Sequence, residues 1–359
     1  MKFRSLAVAL VATATTALSL TGMSPAGAAA TDPVTNLTVS QTQVGQNLQI
    51  TGNWDANPDV TSYRAYITDQ ADGNGAVLTF KDVSTNAAVI TTSSLAAGGS
   101  YWLAVKPIAP SAGTVATIPF TAATLDTEGP NGSYTVNRTS GYLLFDFNTP
   151  TDDLESAAFT VTQTGLSDNT TAAGSITRTI EAGDGTAAKA WTTGTTTKLT
   201  FHKAGTFTPK VRLTDEFGNL TVVNLPTLTV KEDVTNPKVS IKVPAYSTKI
   251  ASWRRIFGHA TDTGTGIDSA LAMVIQKRSG VWYAYDFGKQ KWIKGSTTIA
   301  KTLSSTSARP AVMTVGATSH VWGTPTIRGL TAGTLHVEAV AFDKAFNLGQ
   351  AVPRNPVLH

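Results

Sequence analysis

Thr214-Asp215-Glu216-Phe217-Gly218-Asn219-Leu220 has a near-copy close to the end of the chain, Phe342-Asp343-Lys344-Ala345-Phe346-Asn347-Leu348. Each copy follows a segment of alternating polarity, Pro209 to Leu213 in the first case and Leu335 to Ala341 in the second. Alternation at period two marks a half-buried strand. Asp and Asn bond side chain to backbone in turns and tolerate left-handed backbone. Each copy therefore reads as the hairpin between the last two strands of a β-sandwich. A second pair of segments repeats as well: Asp126-Thr127-Glu128-Gly129-Pro130 and Asp233-Val234-Thr235-Asn236-Pro237. Alternating strands follow both, Ser133-Tyr134-Thr135-Val136 and Val239-Ser240-Ile241-Lys242-Val243. Pro disfavours helix and suits the first residue of an edge strand. These segments read as joints, and repeats at roughly 100-residue spacing imply a tandem array rather than a solenoid.

Working outward, 359 residues suit three sandwiches of about 100 residues each. No run of 11–18 residues carries apolar positions at helical spacing, about i, i+3, i+4, i+7. Hydrophobic residues make up 41% of the chain, enough for packed cores, while charged residues are only 14% against about 25% in an average globular chain. Thr, Ser, Asn and Gly supply the polarity, and β-branched Thr suits a pleated, half-exposed surface. With no cysteine, disulfides and thiolate chemistry are excluded. The fold expected is all-β: three tandem immunoglobulin-like β-sandwich domains after a cleaved signal peptide, over 31–125, 126–232 and 233–359.

Residues 1–30 read as that signal peptide. Lys2 and Arg4 form a positive start, an apolar run extends from Leu6 to about Leu20, and Pro25-Ala26-Gly27-Ala28-Ala29-Ala30 offers small residues for cleavage after Ala28 or Ala30. The run is Thr-interrupted and shorter than the ~18–20 apolar residues that span a bilayer. No later segment is long enough to span, so the expected location is secreted and extracellular, with the protein released or held non-covalently.

Family resemblances support this reading. Residues 31–125 resemble a fibronectin type III domain through Pro33-Val34-Thr35-Asn36-Leu37-Thr38-Val39, through Leu48 to the tryptophan at Trp54, through Val60 to Ile67 with Tyr63, and through Leu95-Ala96-Ala97-Gly98-Gly99-Ser100-Tyr101. The last stretch is similar to the family's leucine, tight turn and tyrosine corner, which implies a Tyr101 hydroxyl bonded back to nearby backbone. Residues 126–232 resemble a PKD (polycystic kidney disease) domain through Gly183-Asp184-Gly185-Thr186, Phe201 to Thr208, and Val211 to Asn219. They depart from it where Ile180-Glu181-Ala182 replaces the usual Trp-Asp-Phe, and around His202. Residues 233–359 are similar to bacterial immunoglobulin-like domains through Gly258-His259-Ala260-Thr261-Asp262, Gly264-Thr265-Gly266-Ile267-Asp268 and Val337 to Asn347, with Phe346 where the family usually has Gly. The extra length of this module, between about Gly280 and Pro325, reads as decorated loops. The resemblances imply surface or secreted proteins and fix no activity.

The residues offer little chemistry. His202, His259, His320, His336 and His359 form no close metal-binding pair, and no nucleophile elbow or phosphate-cradling loop is present. Asp152, Asp153 and Glu155 are the densest carboxylates, the one place a glycosidase pair could sit. The chain therefore reads as no enzyme, with no cofactor implied. Calcium is the one ion its loops suggest, at Asp184 or between Asp262 and Asp268, against the plainer alternative of capped turns.

Charge is uneven. Residues 31–125 carry three basic and six acidic residues, a net of −3; residues 126–230 net −4; residues 231–359, with sixteen basic and seven acidic, net +9. The third module also gathers Trp253, Trp282, Tyr283, Tyr285, Trp292 and Trp322 among Arg254, Arg255, Lys289, Lys291 and Lys294. Flat rings stack on sugars, and clustered cations attract anions. Trp282, Tyr283, Tyr285, Trp292, Lys289, Lys291 and Lys294 are thus the candidate ligand face, although the alternation of Val281-Trp282-Tyr283-Ala284-Tyr285 commits half of it to a core. The function expected is a secreted, non-enzymatic array for binding or adhesion. Its partner would be a cell-wall polymer, polysaccharide or surface protein, and no nucleic acid is expected. A carbohydrate-binding accessory protein or a passive spacer is the alternative.

Overall fold

The computed structural model describes residues 29–145, 155–317 and 319–359. The signal-peptide reading falls on residues 1–28, and Asp152 and Asp153 also lie outside the described residues. Within them the chain is nearly all β, and its buried apolar residues form three main clusters, spanning Val39 to Ala122, Leu143 to Val230, and Ile241 to Leu358. These are three immunoglobulin-like sandwiches in tandem.

In the first, strands Thr38–Val44, Asn47–Asn53 and Ala87–Thr92 form one sheet, and Val77–Val83, Ser62–Thr68, Ser100–Ala109 and Ala116–Thr121 form the other. Alternation works as the sequence suggests: Leu48, Ile50, Ala88 and Ile90 face inward against Ala65, Ile67, Leu103 and Val105. Trp54 is buried edge-on against Tyr63, with ring centroids 5.3 Å apart. The Tyr101 hydroxyl accepts a hydrogen bond from Ala96 N at 3.0 Å, closing the corner that the Leu95–Tyr101 stretch implied.

The second sandwich is built around the long strand Glu155–Ser167, which pairs with Thr196–Phe201, Asn131–Val136 and Leu144–Phe145. Opposite lie Thr177–Glu181, Lys210–Thr214 and Leu220–Asn224. In its core Phe201 stacks on Phe207 and meets Phe159 edge-on.

In the third sandwich, Lys238–Ile241, Phe257–Thr261 and Val321–Gly323 pack against a seven-stranded sheet centred on Ile267–Arg278 and Gly333–Asp343. Trp253 and Trp322 are both buried in its core, as are Ile256 and Val337. The expectation of decorated loops between Gly280 and Pro325 needs correction. Val281–Asp286 and Lys291–Lys294 form a hairpin that extends the large sheet, and Ile299–Ser305 is a helix capped by the Thr298 side chain. Ile275, Trp282, Ala284 and Ala308, with Ile293, Ile299 and Leu303 against them, make a small separate core that holds this addition down.

The two repeated turns do join hairpins, Lys210–Thr214 to Leu220–Asn224 and Gly333–Asp343 to Leu348–Gln350. A further strand follows each, Leu228–Lys231 and Val357–Leu358, so neither is the last pair of its sandwich.

Candidate functional site

The repeated turns have the same internal wiring. Asp215 Oδ1 accepts the amides of Phe217 and Asn219 at 2.9 and 2.8 Å, and Asp343 Oδ1 accepts those of Ala345 and Asn347 at 2.9 and 2.8 Å. Asn219 Nδ2 donates to Asp215 Oδ2 and to the Asp126 carbonyl, at 2.7 and 3.1 Å. Asn347 Nδ2 likewise donates to Asp343 Oδ2 and to the Asp233 carbonyl, at 2.8 and 2.7 Å. The repeated turn thus holds the repeated joint, because a side-chain amide carries both a turn bond and a joint bond.

A third acid completes each arrangement. Asp126, Asp168 and Asp215 form one group and Asp233, Asp262 and Asp343 the other; within each, one oxygen per residue lies within 4.8 Å of the others. Asp168 directly follows strand Glu155–Ser167, and Asp262 directly follows Phe257–Thr261. Asp126, Asp215, Asp233 and Asp343 are all buried. Among the described residues no Lys or Arg pairs with any of the six. Two unit charges 4.8 Å apart at an effective dielectric of ~20 repel by roughly 3 kcal/mol, so each group strongly favours a positive partner. Burial pushes the Asp233 carboxyl up, but the Thr265 and Thr235 amides donating to it outweigh this and hold it below its ordinary value.

Of the two candidate calcium ligands, then, Asp262 joins a carboxylate group, whereas Asp268 is exposed and stands outside it. Asp233 and Asp343 are the members that spacing along one loop could not supply. Asp184 accepts Thr186 N and Oγ1 at 2.9 and 2.6 Å and is the capped turn of the plainer alternative.

The first two modules meet through glutamines. Gln43 Oε1 accepts Asp126 N and its Nε2 donates to Asp126 O, while Gln46 Nε2 donates to Asn219 Oδ1. The second and third meet through Phe145, whose amide donates to Lys344 O at 2.8 Å and whose ring stacks on Phe346 at 4.8 Å. Phe346, the residue in place of a family glycine, has φ +68° and also stacks with Phe342. A left-handed backbone is costly for an aromatic residue; stacking across the joint is the compensating gain.

The candidate ligand face divides. Trp282 and Tyr285 are buried, Trp282 in the small core and Tyr285 beneath Phe287 and Trp292, so neither can stack on a ligand. This corrects the expectation for both. Tyr283 and Trp292 are half-buried, and the Arg278 guanidinium lies 5.5 Å and 4.3 Å from their ring centroids. Burial there lowers the Arg278 pKa from its ordinary value, with Tyr283 opposing; a guanidinium remains charged regardless. Trp292 Nε1 donates to Arg328 O at 2.8 Å. Lys289, Lys291 and Lys294 are exposed and, among the described residues, form no salt bridge. The hairpin therefore presents positive charge around rings already occupied by Arg278.

Among the described residues no helix is long and apolar enough to cross a membrane. No family model matches the chain, and no curated protein matches it. Several solved structures are similar over much of its length. A bacterial ice-binding adhesin, from work on its retention at the host cell surface, is 12% identical, with a TM-score of 0.35, 91% of this chain covered and 98% of the adhesin chain. The FN1–FN3 domains of chicken CNTN1 are 10% identical with a TM-score of 0.24, covering 91% and 98%. Fibronectin(III)-like modules of Clostridium thermocellum CbhA are 13% identical with a TM-score of 0.24, covering 63% and 93%.

Proposed function

We propose that the chain is a secreted, non-catalytic array of immunoglobulin-like modules that binds an anionic surface polymer or surface protein through the basic hairpin of its third module. The observation supporting this reading is the exposed set Lys289, Lys291 and Lys294, without carboxylate partners among the described residues, on the one module whose net charge is +9. Unpaired cations gathered on one hairpin raise the local concentration of an anionic partner. Sugar stacking is the weaker reading, because Trp282 and Tyr285 are buried and Arg278 covers Trp292.

The test is retention of the full chain on isolated cell walls and insoluble polysaccharides at low and high salt. The Debye length falls from about 30 Å at 0.01 M to about 3 Å at 1 M. Retention that fades across that range, and is lost in the Lys289→Glu/Lys291→Glu/Lys294→Glu variant at low salt, is the expected result. Salt-resistant retention lost on Trp292→Ala would replace the reading with sugar stacking. No retention at any salt would leave a spacer.

A further inference from the structure

The two acidic groups share more than composition. Each draws one aspartate from the joint entering a sandwich, one from the end of a strand in that sandwich, and one from the repeated hairpin turn. All the donors are carboxylate oxygens, and four of the six residues are buried. A separate observation points to a missing partner. Asp168 Oδ2 and Asp262 Oδ1 are cut off from solvent and accept no hydrogen bond. Thr171, only 3% exposed and bonded through its amide to Asp168 Oδ1, also has a buried Oγ1 without a partner. Buried polar atoms normally find a partner, and a carboxylate oxygen without one is costly. The other oxygen of each free-ended acid is engaged: Asp168 Oδ1 by the amides of Thr170 and Thr171, and Asp262 Oδ2 by those of Gly264 and Gly266. Each side chain is thus fixed with one oxygen spare.

We infer that each group binds one Ca2+, and that the ion locks the joint to the sandwich that follows it. A set of hard oxygen donors suits Ca2+ or Mg2+ rather than a softer metal. Ligand number separates the two. Mg2+ keeps several waters and is usually held by one or two carboxylates, whereas Ca2+ takes about six to eight oxygens, mostly from the protein, and each group offers three carboxylates. Because Asp126 and Asp233 belong to the joints themselves, the ion fixes the path of the chain from one module to the next. Gly264 belongs to the device: a methyl built on it overlaps the Asp233 carboxylate. This inference is independent of the basic hairpin and survives the failure of that reading.

The test is calorimetric titration of chelator-stripped full chain with CaCl2, with thermal melts in parallel. Two equivalents are expected, with Kd about 10⁻⁴–10⁻³ M, the range of extracellular modules. Asp168→Asn and Asp262→Asn each remove one equivalent and together remove both. Each Asn keeps one acceptor oxygen for the turn amides and places an NH2 where the spare oxygen stood. In chelator these variants melt at or above the wild-type temperature, since they relieve carboxylate repulsion; with Ca2+ they lose the stabilisation. Gly264→Ala also lowers the count to one, without changing charge. The inference is overturned if no heat and no melting shift occur up to about 10 mM Ca2+, or if the Asn variants still bind two equivalents. Variants that melt lower in chelator while keeping the calcium-dependent increment would show a purely structural role and overturn it too. Equal affinity for Mg2+ would overturn the assignment to calcium.

Discussion

Gly258 lies in strand Phe257–Thr261, opposite Ile241, directly beneath the buried ring of Trp322. A methyl group added at Gly258 falls within 3.0 Å of Trp322 ring atoms and of the Ser240 carbonyl oxygen. Neither can give way cheaply. Ser240 belongs to the backbone of the paired strand, and Trp322 is 1% exposed, held between that strand and the core. Overpacking of this kind costs about 1–3 kcal/mol, and a clash with backbone belongs at the upper end. Alanine regains about 0.5–1 kcal/mol over glycine in a strand. The net expectation for Gly258→Ala is a loss of about 2 kcal/mol, which lowers the melting temperature of a module this size by roughly 6–10 °C. Gly52→Ala is the control: its nearest neighbour is Leu103 Cδ2 at 2.5 Å, the tip of an aliphatic side chain rather than a ring or a backbone carbonyl, so the loss should be smaller, about 1 kcal/mol. Scanning calorimetry of the full chain reads both, Gly258→Ala as a shift of the third-module transition and Gly52→Ala as a shift of the first-module transition. Trp322→Leu in the Gly258→Ala background should recover part of the loss, because the two sites are in contact. Equal, small shifts for Gly258→Ala and Gly52→Ala would refute the packing described for the third core.

Two further outcomes follow from the joints and the hairpin. Phe346→Gly removes a left-handed aromatic residue, a strain of about 1–3 kcal/mol, and with it two ring stacks worth about 0.5–1.5 kcal/mol each. The third-module transition should therefore move little, while proteolytic cleavage between Asp233 and Pro237 accelerates; unchanged cleavage would mean that the stack on Phe145 does not brace the joint. The Lys289 amide donating to Asp286 Oδ1 at 3.0 Å, with lesser help from Gly288, holds the Asp286 carboxyl below its ordinary value against burial. A lowered carboxyl stabilises the fold fully above its unfolded value of about 3.9, and the gain is lost as pH falls through the lower folded value. Melting of the third module should drop in that acid window, and Asp286→Asn should flatten the drop; identical acid profiles would remove Asp286 from the hairpin's support.

Much of the fold was legible because its signals are local. Alternation located the strands, and Trp54 and Tyr101 marked the first core. The helix Ile299–Ser305 escaped because seven residues are too few for helical periodicity to register. Tyr285 escaped because alternation assigns one face of a strand to solvent, and here Phe287 and Trp292 cover that face. The acidic groups were half visible. Both joints open on Asp and both repeated turns contain Asp-x-x-x-Asn, yet each reads on its own as turn chemistry. Only folding brings oxygens of Asp233, Asp262 and Asp343 within 4.8 Å of one another, and the segments that supply them lie far apart in the chain. Phe346 carried a signal of its own, a bulky residue where similar domains place glycine, and its meaning emerged only with Phe145 stacked against it.

The most direct measurement on three separately cored sandwiches with an acidic group at each joint is small-angle X-ray scattering of the full chain, in chelator and then in saturating Ca2+. The expected result is a narrower pair-distance distribution with calcium, reversed by chelator and absent in the Asp168→Asn/Asp262→Asn variant. Superimposable profiles in chelator and calcium would contradict the claim that ions at Asp126 and Asp233 set the geometry of the array.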